Sequence, residues 1–405
     1  MKLLLMIFTS LTLIATPKIE LGVDRLFEDV HLAKLSGKRV AILTNPTGLD
    51  SQLRSTADRL LENQGSYKIV AFFSPEHGLK GDAHAGEHTH DTKIGKIPCY
   101  SLHGAHKRPT DEMLKGIDLV IYDIQDVGAR PYTYTTTLYY MMEEAAKRKI
   151  EVIVLDRPNP IGGVMVDGPM LQDDQKSFLG YINVPYCHGM TVGELAQLFN
   201  QEYKINCKLT VIPMKGWKRE MRYYDTGLIW TPTSPQIPED DTPAYYPATG
   251  LLGELELVNI GVGYTLPFKV IGAPWIDADQ LALALSNQKL PGVKFLPFHY
   301  KPFFGPYKHE QCNGVRIVVT DTNLFRPVTA GYLMMGVLKT LYPKEVNQRL
   351  KKTPDKKKVT FSHVNGTPET LELFLNERYP GWKMASIDLE ARKSFLQLRK
   401  QYLLY

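Results

Sequence analysis

Between Ser74 and Glu87 the chain reads SPEHGLKGDAHAGE, which puts two glutamates, two histidines and three glycines into fourteen residues. The stretch follows KIVAFF, an apolar run with the character of a buried strand. Glycine and charge also make ordinary surface turns. Carboxyl and imidazole groups placed straight after a buried strand, on a backbone that glycines let approach a ligand closely, suit general acid–base chemistry. Other strand-like runs end in the same way. KRVAILT delivers Asn45, DLVIY delivers Asp123, Asp126 and Arg130, and EVIVL delivers Asp156, Arg157 and Asn159. Open α/β sheets bind ligands at the carboxyl ends of their strands, so these ends define the expected site.

Each group has a chemical reading and a plainer one. Glu76 could cap the turn that follows it; in an apolar crevice its pKa would rise, as a general acid needs. Glu87 is the expected partner, with Asp123 and Asp126 as alternates, and Asp123 could equally hold the next loop. Asn45, His77 and Asn159 are expected substrate contacts. Arg130 and Arg157 either pair with the neighbouring acids or grip a carboxylate with two parallel hydrogen bonds. Tyr132 and Tyr134 are core, or a flat face for a sugar ring. His77, His84, His88 and His90 beside Glu76 and Glu87 suggest a metal, but their spacing fits neither H-E-x-x-H nor another familiar ligand set, so no metal or cofactor is expected. G-x-S-x-G is missing, which argues against an α/β-hydrolase. Thr191 and Glu194 read as a capping box, and His188 just before them serves either site or scaffold.

These groups need a rigid frame. Continuous apolar strands alternate with helices from Lys38 onward, which predicts an α/β fold: a Rossmann-like parallel sheet covered on both faces. No G-x-G-x-x-G follows the first strand and no phosphate-binding loop is present, so a nucleotide is not expected. After about Asp240 the texture turns rich in Gly, Pro and aromatics without a clean helical period. This predicts a smaller α+β C-terminal domain over 241–405, joined to the first domain (18–240) by TSPQIPEDDTP. The chain has 405 residues, 43% hydrophobic and 22% charged, with a net charge of +5. That is an ordinary globular balance, mildly suited to an anionic substrate. KKTPDKKK reads as a solvated linker, and nucleic acid is not an expected partner. The apolar run after Lys2 is too short to span a bilayer and predicts a signal peptide over 1–17, hence export to the periplasm or beyond. Cys99, Cys187, Cys207 and Cys312 are too widely spaced for a zinc cluster.

The motifs FSPEHGLKG, AGE, DIQDVGARPYTY, LDRPNPIGG, VDGP and HGMTVGELA, followed by GW and IGAPW, together resemble the NamZ family. Its members are exo-acting β-N-acetylmuramidases, formerly a family of unknown function. The likeness runs in order from Leu21 almost to the C-terminus. It implies a Rossmann-like domain, a smaller C-terminal domain, a cleft between them, and release of terminal N-acetylmuramic acid from peptidoglycan-derived saccharides or muropeptides. It also implies an acidic site on Glu76 and Glu87, lined by Asp123, Asp126, Arg130, Arg157 and His188. One departure bears on the glycan. A segment resembling EGRGT in many members is NIGVGYT here, with Ile260 and Val262 where Glu and Arg would stand. A wall-binding protein without activity and a metal-dependent hydrolase are the alternatives.

Overall fold

The runs VAILT and LVIYD contain no solvent-facing alternation, so the strands they form have to be covered on both sides. In the structure, a computed structural model that describes residues 19–405, they are. The leader expected over 1–17 lies outside the described residues. Seven strands form the larger sheet: β1 (Arg39–Thr44), β2 (Lys68–Ser74), β3 (Thr92–Ile94), β4 (Ile97–Ser101), β5 (Leu119–Asp123), β6 (Glu151–Leu155) and β7 (Leu209–Ile212), in the order β3-β4-β2-β1-β5-β6-β7. All neighbours pair in parallel except β3 with β4. Side chains alternate between two cores. Val40, Ile42, Leu119 and Ile121 enter one; Ala41, Leu43, Val120 and Tyr122 enter the other. Chain order turns outward in both directions from β1 and β5, which makes that pair the topological switch point.

The second of these cores continues into the C-terminal half through Tyr245, Leu251, Ile271 and Val315. There β8 (Val270–Ala273), β9 (Val293–Tyr300) and β10 (Cys312–Val319) form an antiparallel sheet in the order β8-β10-β9. Two segments differ from the sequence reading. Thr242–Gly253, which shows no helical period, is a helix because it is buried nearly all round and has no polar face to mark a stripe. Pro243 sits in its first turn, where a missing N–H costs nothing, and burial of Tyr245, Leu251 and Leu252 offsets the bond lost at Pro247. KKTPDKKK is no linker: it closes the helix Pro343–Lys352 and opens the helix Asp355–Asn365.

The chain ends against its own first domain. Arg399 Nη1 donates to the carbonyls of Gly163, His188 and Gly189 at 3.1, 3.1 and 2.7 Å, and the Tyr405 hydroxyl donates to Asp156 at 2.7 Å. The four cysteines are buried and unpaired. Among the described residues no helix is long and apolar enough to cross a membrane.

Candidate active site

The switch point itself is filled. Arg157 donates through Nε and Nη2 to the two oxygens of Asp123 at 2.6 and 2.9 Å, and through Nη2 to the Leu49 carbonyl at 2.7 Å. The Thr56 hydroxyl donates to Asp123 from the far side at 2.5 Å. Both charged groups are almost wholly buried and each satisfies the other, so neither is left for a ligand. The open space lies one step across the sheet. A cavity of about 430 Å³ is bounded by the end of β2, by Pro131–Thr133 after β5, by Ser234–Ile237 of the crossing segment and by the helix Thr242–Gly253 with the loop after it. That volume is in the range of small-molecule sites.

Glu76 enters from β2. His77, next to it, holds a left-handed backbone with φ 68°, uncommon for a residue with a side chain. The turn brings Gly86 back so that its N–H donates to Glu76 Oε1 at 2.8 Å. Thr133 donates to Oε2 at 2.6 Å. Thr133 also opens the helix Thr133–Lys147, whose N-terminal end favours a negative charge. Burial alone would raise the Glu76 pKa. The nearby His103, the Thr133 and Gly86 hydrogen bonds and His77 outweigh it and hold the carboxyl below its ordinary value. Glu76 is therefore ionised near neutrality, where the sequence reading expected a raised pKa.

Of the other expected contacts, His77 and Tyr132 line the cavity. His77 Nδ1 lies 2.7 Å from the Ala83 carbonyl, so that nitrogen carries the hydrogen and Nε2 is the free one. Tyr132 donates to Thr233 Oγ1 at 2.8 Å and meets Tyr134 and Tyr246 edge-on, with centroids 4.8 and 5.8 Å apart. The rest sit elsewhere, each for a visible reason. Glu87 is exposed and caps its own loop by accepting the His84 N–H at 2.9 Å. Asp126 is sealed beneath the site, accepting the Gly128 N–H at 2.7 Å, and burial pushes its pKa up to about 7. Asn45 accepts both the N–H and the hydroxyl of Thr47. Asn159 bridges the Met190 carbonyl and the Ile161 N–H. Arg130 spends its guanidinium on the carbonyls of Pro169, Val184 and Val364 at 2.9, 2.7 and 3.1 Å. His188 is wholly buried, and burial with Arg399 and Arg130 nearby lowers its pKa to about 3. Among the described residues no three His, Cys, Asp or Glu side chains gather as a metal set.

One carboxyl was missed. Glu254 follows the helix Thr242–Gly253 and lines the same cavity as Glu76. Burial pushes its pKa up to about 7; Lys357 pulls against this and Glu256 adds to it. The signal was a pair of acids, Glu254 and Glu256, inside the apolar run LLGELELV, a pattern equally ordinary on a surface helix. Tyr246, on that helix, feels the negative charge of both Glu254 and Glu76. Tyr186 also lines the cavity, with its buried hydroxyl unpartnered. Ile260 and Val262, at the positions that depart from the family pattern, both stand in the cavity wall.

Two carboxyl groups on one cavity, one held below its ordinary pKa and the other raised to about 7, with phenol rings among the walls, are an arrangement that glycoside hydrolysis uses. The chain belongs to the NamZ family: the model for exo-beta-N-acetylmuramidase NamZ, N-terminal, matches residues 40–241, and its C-terminal counterpart matches 244–405. The peptidoglycan beta-N-acetylmuramidase NamZ of Bacillus subtilis (strain 168) is 44% identical over 332 residues, 81% of this chain and 79% of that protein. Two crystal structures of DUF1343 family proteins from Bacteroides fragilis NCTC 9343 share the fold. One has a TM-score of 0.89 at 40% identity, the other 0.73 at 28%; each match covers 96% of this chain and 99% of the other.

Proposed function

We propose that this chain hydrolyses the bond holding a terminal N-acetylmuramic acid to a peptidoglycan fragment, with Glu254 as the general acid and Glu76 as the ionised carboxylate. Glu254 gives its proton to the glycosidic oxygen as the bond to the anomeric carbon breaks. Glu76 stabilises the positive charge that builds on the ring, and either attacks that carbon or takes a proton from the water that does. Water supplies the hydroxyl of the released sugar, and its other proton, taken up by Glu254 directly or passed on from Glu76, restores the acid. The supporting observation is the opposed setting of the two carboxyl groups on one cavity. The aromatic wall of Tyr132 and Tyr246 suits the apolar face of a pyranose. Export is part of the same proposal, supported by the apolar run after Lys2 and by a wall-derived substrate.

The test is incubation with defined muropeptides and assay for free muramic acid. Release by the parent chain and loss of turnover by orders of magnitude in Glu76→Gln, with folding kept, is the expected result. Binding without release, across several glycans, would favour a wall-binding protein. Near-normal turnover in Glu76→Gln would remove Glu76 from the mechanism.

A further inference from the structure

His103 carries no step of the reaction proposed above, yet it lies against the ionised carboxyl. It follows β4 in the loop after Ser101 and is almost fully buried. Its Nδ1 is 3.1 Å from the Glu87 backbone carbonyl. A ring nitrogen approaches a carbonyl oxygen that closely only as a donor, so Nδ1 carries hydrogen and the tautomer is set. Nε2 then faces Glu76 Oε1 at 3.6 Å. Phe178 stacks on the ring at 5.6 Å between centroids, and the Lys107 ammonium sits 4.4 Å from the centre of the Phe178 ring. The imidazole is thus held by the Glu87 carbonyl and by a flat face, with its one titrating nitrogen aimed at the reacting group.

We propose that His103 is a positioning residue for Glu76, and that the acid limb of the reaction belongs to the Glu76–His103 pair rather than to Glu76 alone. The inference rests on the muramidase reading of this site. Neutral His103 turns a lone pair toward the carboxylate; as imidazolium its positive charge, 3.6 Å away, keeps the carboxylate ionised. The charged and titrating groups around the ring are Glu76, His77 and Lys107, with the Glu87 carbonyl behind. Burial lowers the His103 pKa, Glu76 and the Glu87 carbonyl raise it, Lys107 and His77 lower it, and the balance lies below the ordinary histidine value. The imidazolium therefore forms only on the acid side, where Glu76 would otherwise begin to take up a proton. The arrangement also gives the Glu87 loop a use: its backbone, not its carboxyl, serves the site.

The experiment compares kcat/KM against pH for the parent, His103→Gln and His103→Phe on a muramic acid glycoside. Gln keeps an N–H for the Glu87 carbonyl without a titrating group, and Phe keeps the stack on Phe178. Both should move the acid limb upward by about one pH unit, so that activity on that limb falls about tenfold, while the alkaline limb stays in place. A variant with lowered melting temperature at neutral pH is read through the other. Acid limbs that coincide with the parent's in the folded variants would overturn the proposal. A parent chain that releases no sugar at any pH would instead sink the muramidase reading and leave nothing for His103 to tune.

Discussion

Replacing Glu254 by Gln separates proton donation from everything else the cavity does. With a pKa of about 7 against an ordinary 4.5, Glu254 is about half protonated at pH 7, where an exposed glutamate would be so in about one molecule in 300. Burial therefore multiplies the available acid by roughly 150-fold. General acid catalysis is worth about 10²- to 10⁴-fold, and Gln has no proton to give. On a disaccharide, whose leaving oxygen needs that proton, Glu254→Gln should lose about that factor in kcat. On a nitrophenyl glycoside the phenolate leaves as a stable anion, and the loss should stay below about tenfold. The pH profile gives a second readout. An acid raised to about 7 is active below that pH and fails as pH rises through it. The parent should show an alkaline limb near there, and the variant should lack it. Lys357→Met removes the cation that pulls Glu254 down, so that limb should move to higher pH. Equal losses on both leaving groups, or an unchanged alkaline limb in Glu254→Gln, would refute the assignment.

Three further outcomes follow from the placement of the other side chains. Arg157→Met leaves the buried Asp123 carboxyl without its partner, so it should cost about 3–5 kcal/mol by denaturant titration and weaken muramic and glucosamine substrates alike. A loss confined to the muramic substrate would return Arg157 to the site. Asp126, at about 7 folded against an ordinary 3.8, favours the folded state most below about pH 4, and that advantage is lost as pH rises through 7. Asp126→Asn should therefore gain melting temperature relative to the parent as pH rises from 4 to 7, and should keep its turnover. A flat difference across that range would show that Asp126 is not held protonated. Glu87→Gln retains an oxygen for the His84 N–H and should turn over at near the parent rate, whereas a loss of orders of magnitude would place that carboxyl in the reaction.

The sequence by itself determined the sheet, because apolar runs as continuous as VAILT, LVIYD and EVIVL can be buried only on both faces and so demand helices between them. It also determined that Glu76 sits at a strand end, since SPEHG follows its strand without interruption, and that Thr191 and Glu194 cap a helix, since a capping box is a matter of three residues' spacing. It left open which of several acids and cations at neighbouring strand ends would meet one another. Asp123 and Arg157 are far apart in sequence and close only once β5 and β6 pair, and their union fills the crevice where a ligand was expected. Glu254 carries no motif at all. Its acidity depends on a cavity wall drawn from both halves of the chain, and on Lys357 about a hundred residues downstream. The charge state of Glu76 was likewise beyond local pattern: an apolar crevice would raise its pKa, but the fold brings His103, Thr133 and Gly86 to it and reverses the sign. Local spacing fixes caps, turns and strand ends, whereas a pKa is set by every charge and dipole within a few ångströms, and only the tertiary fold decides which those are.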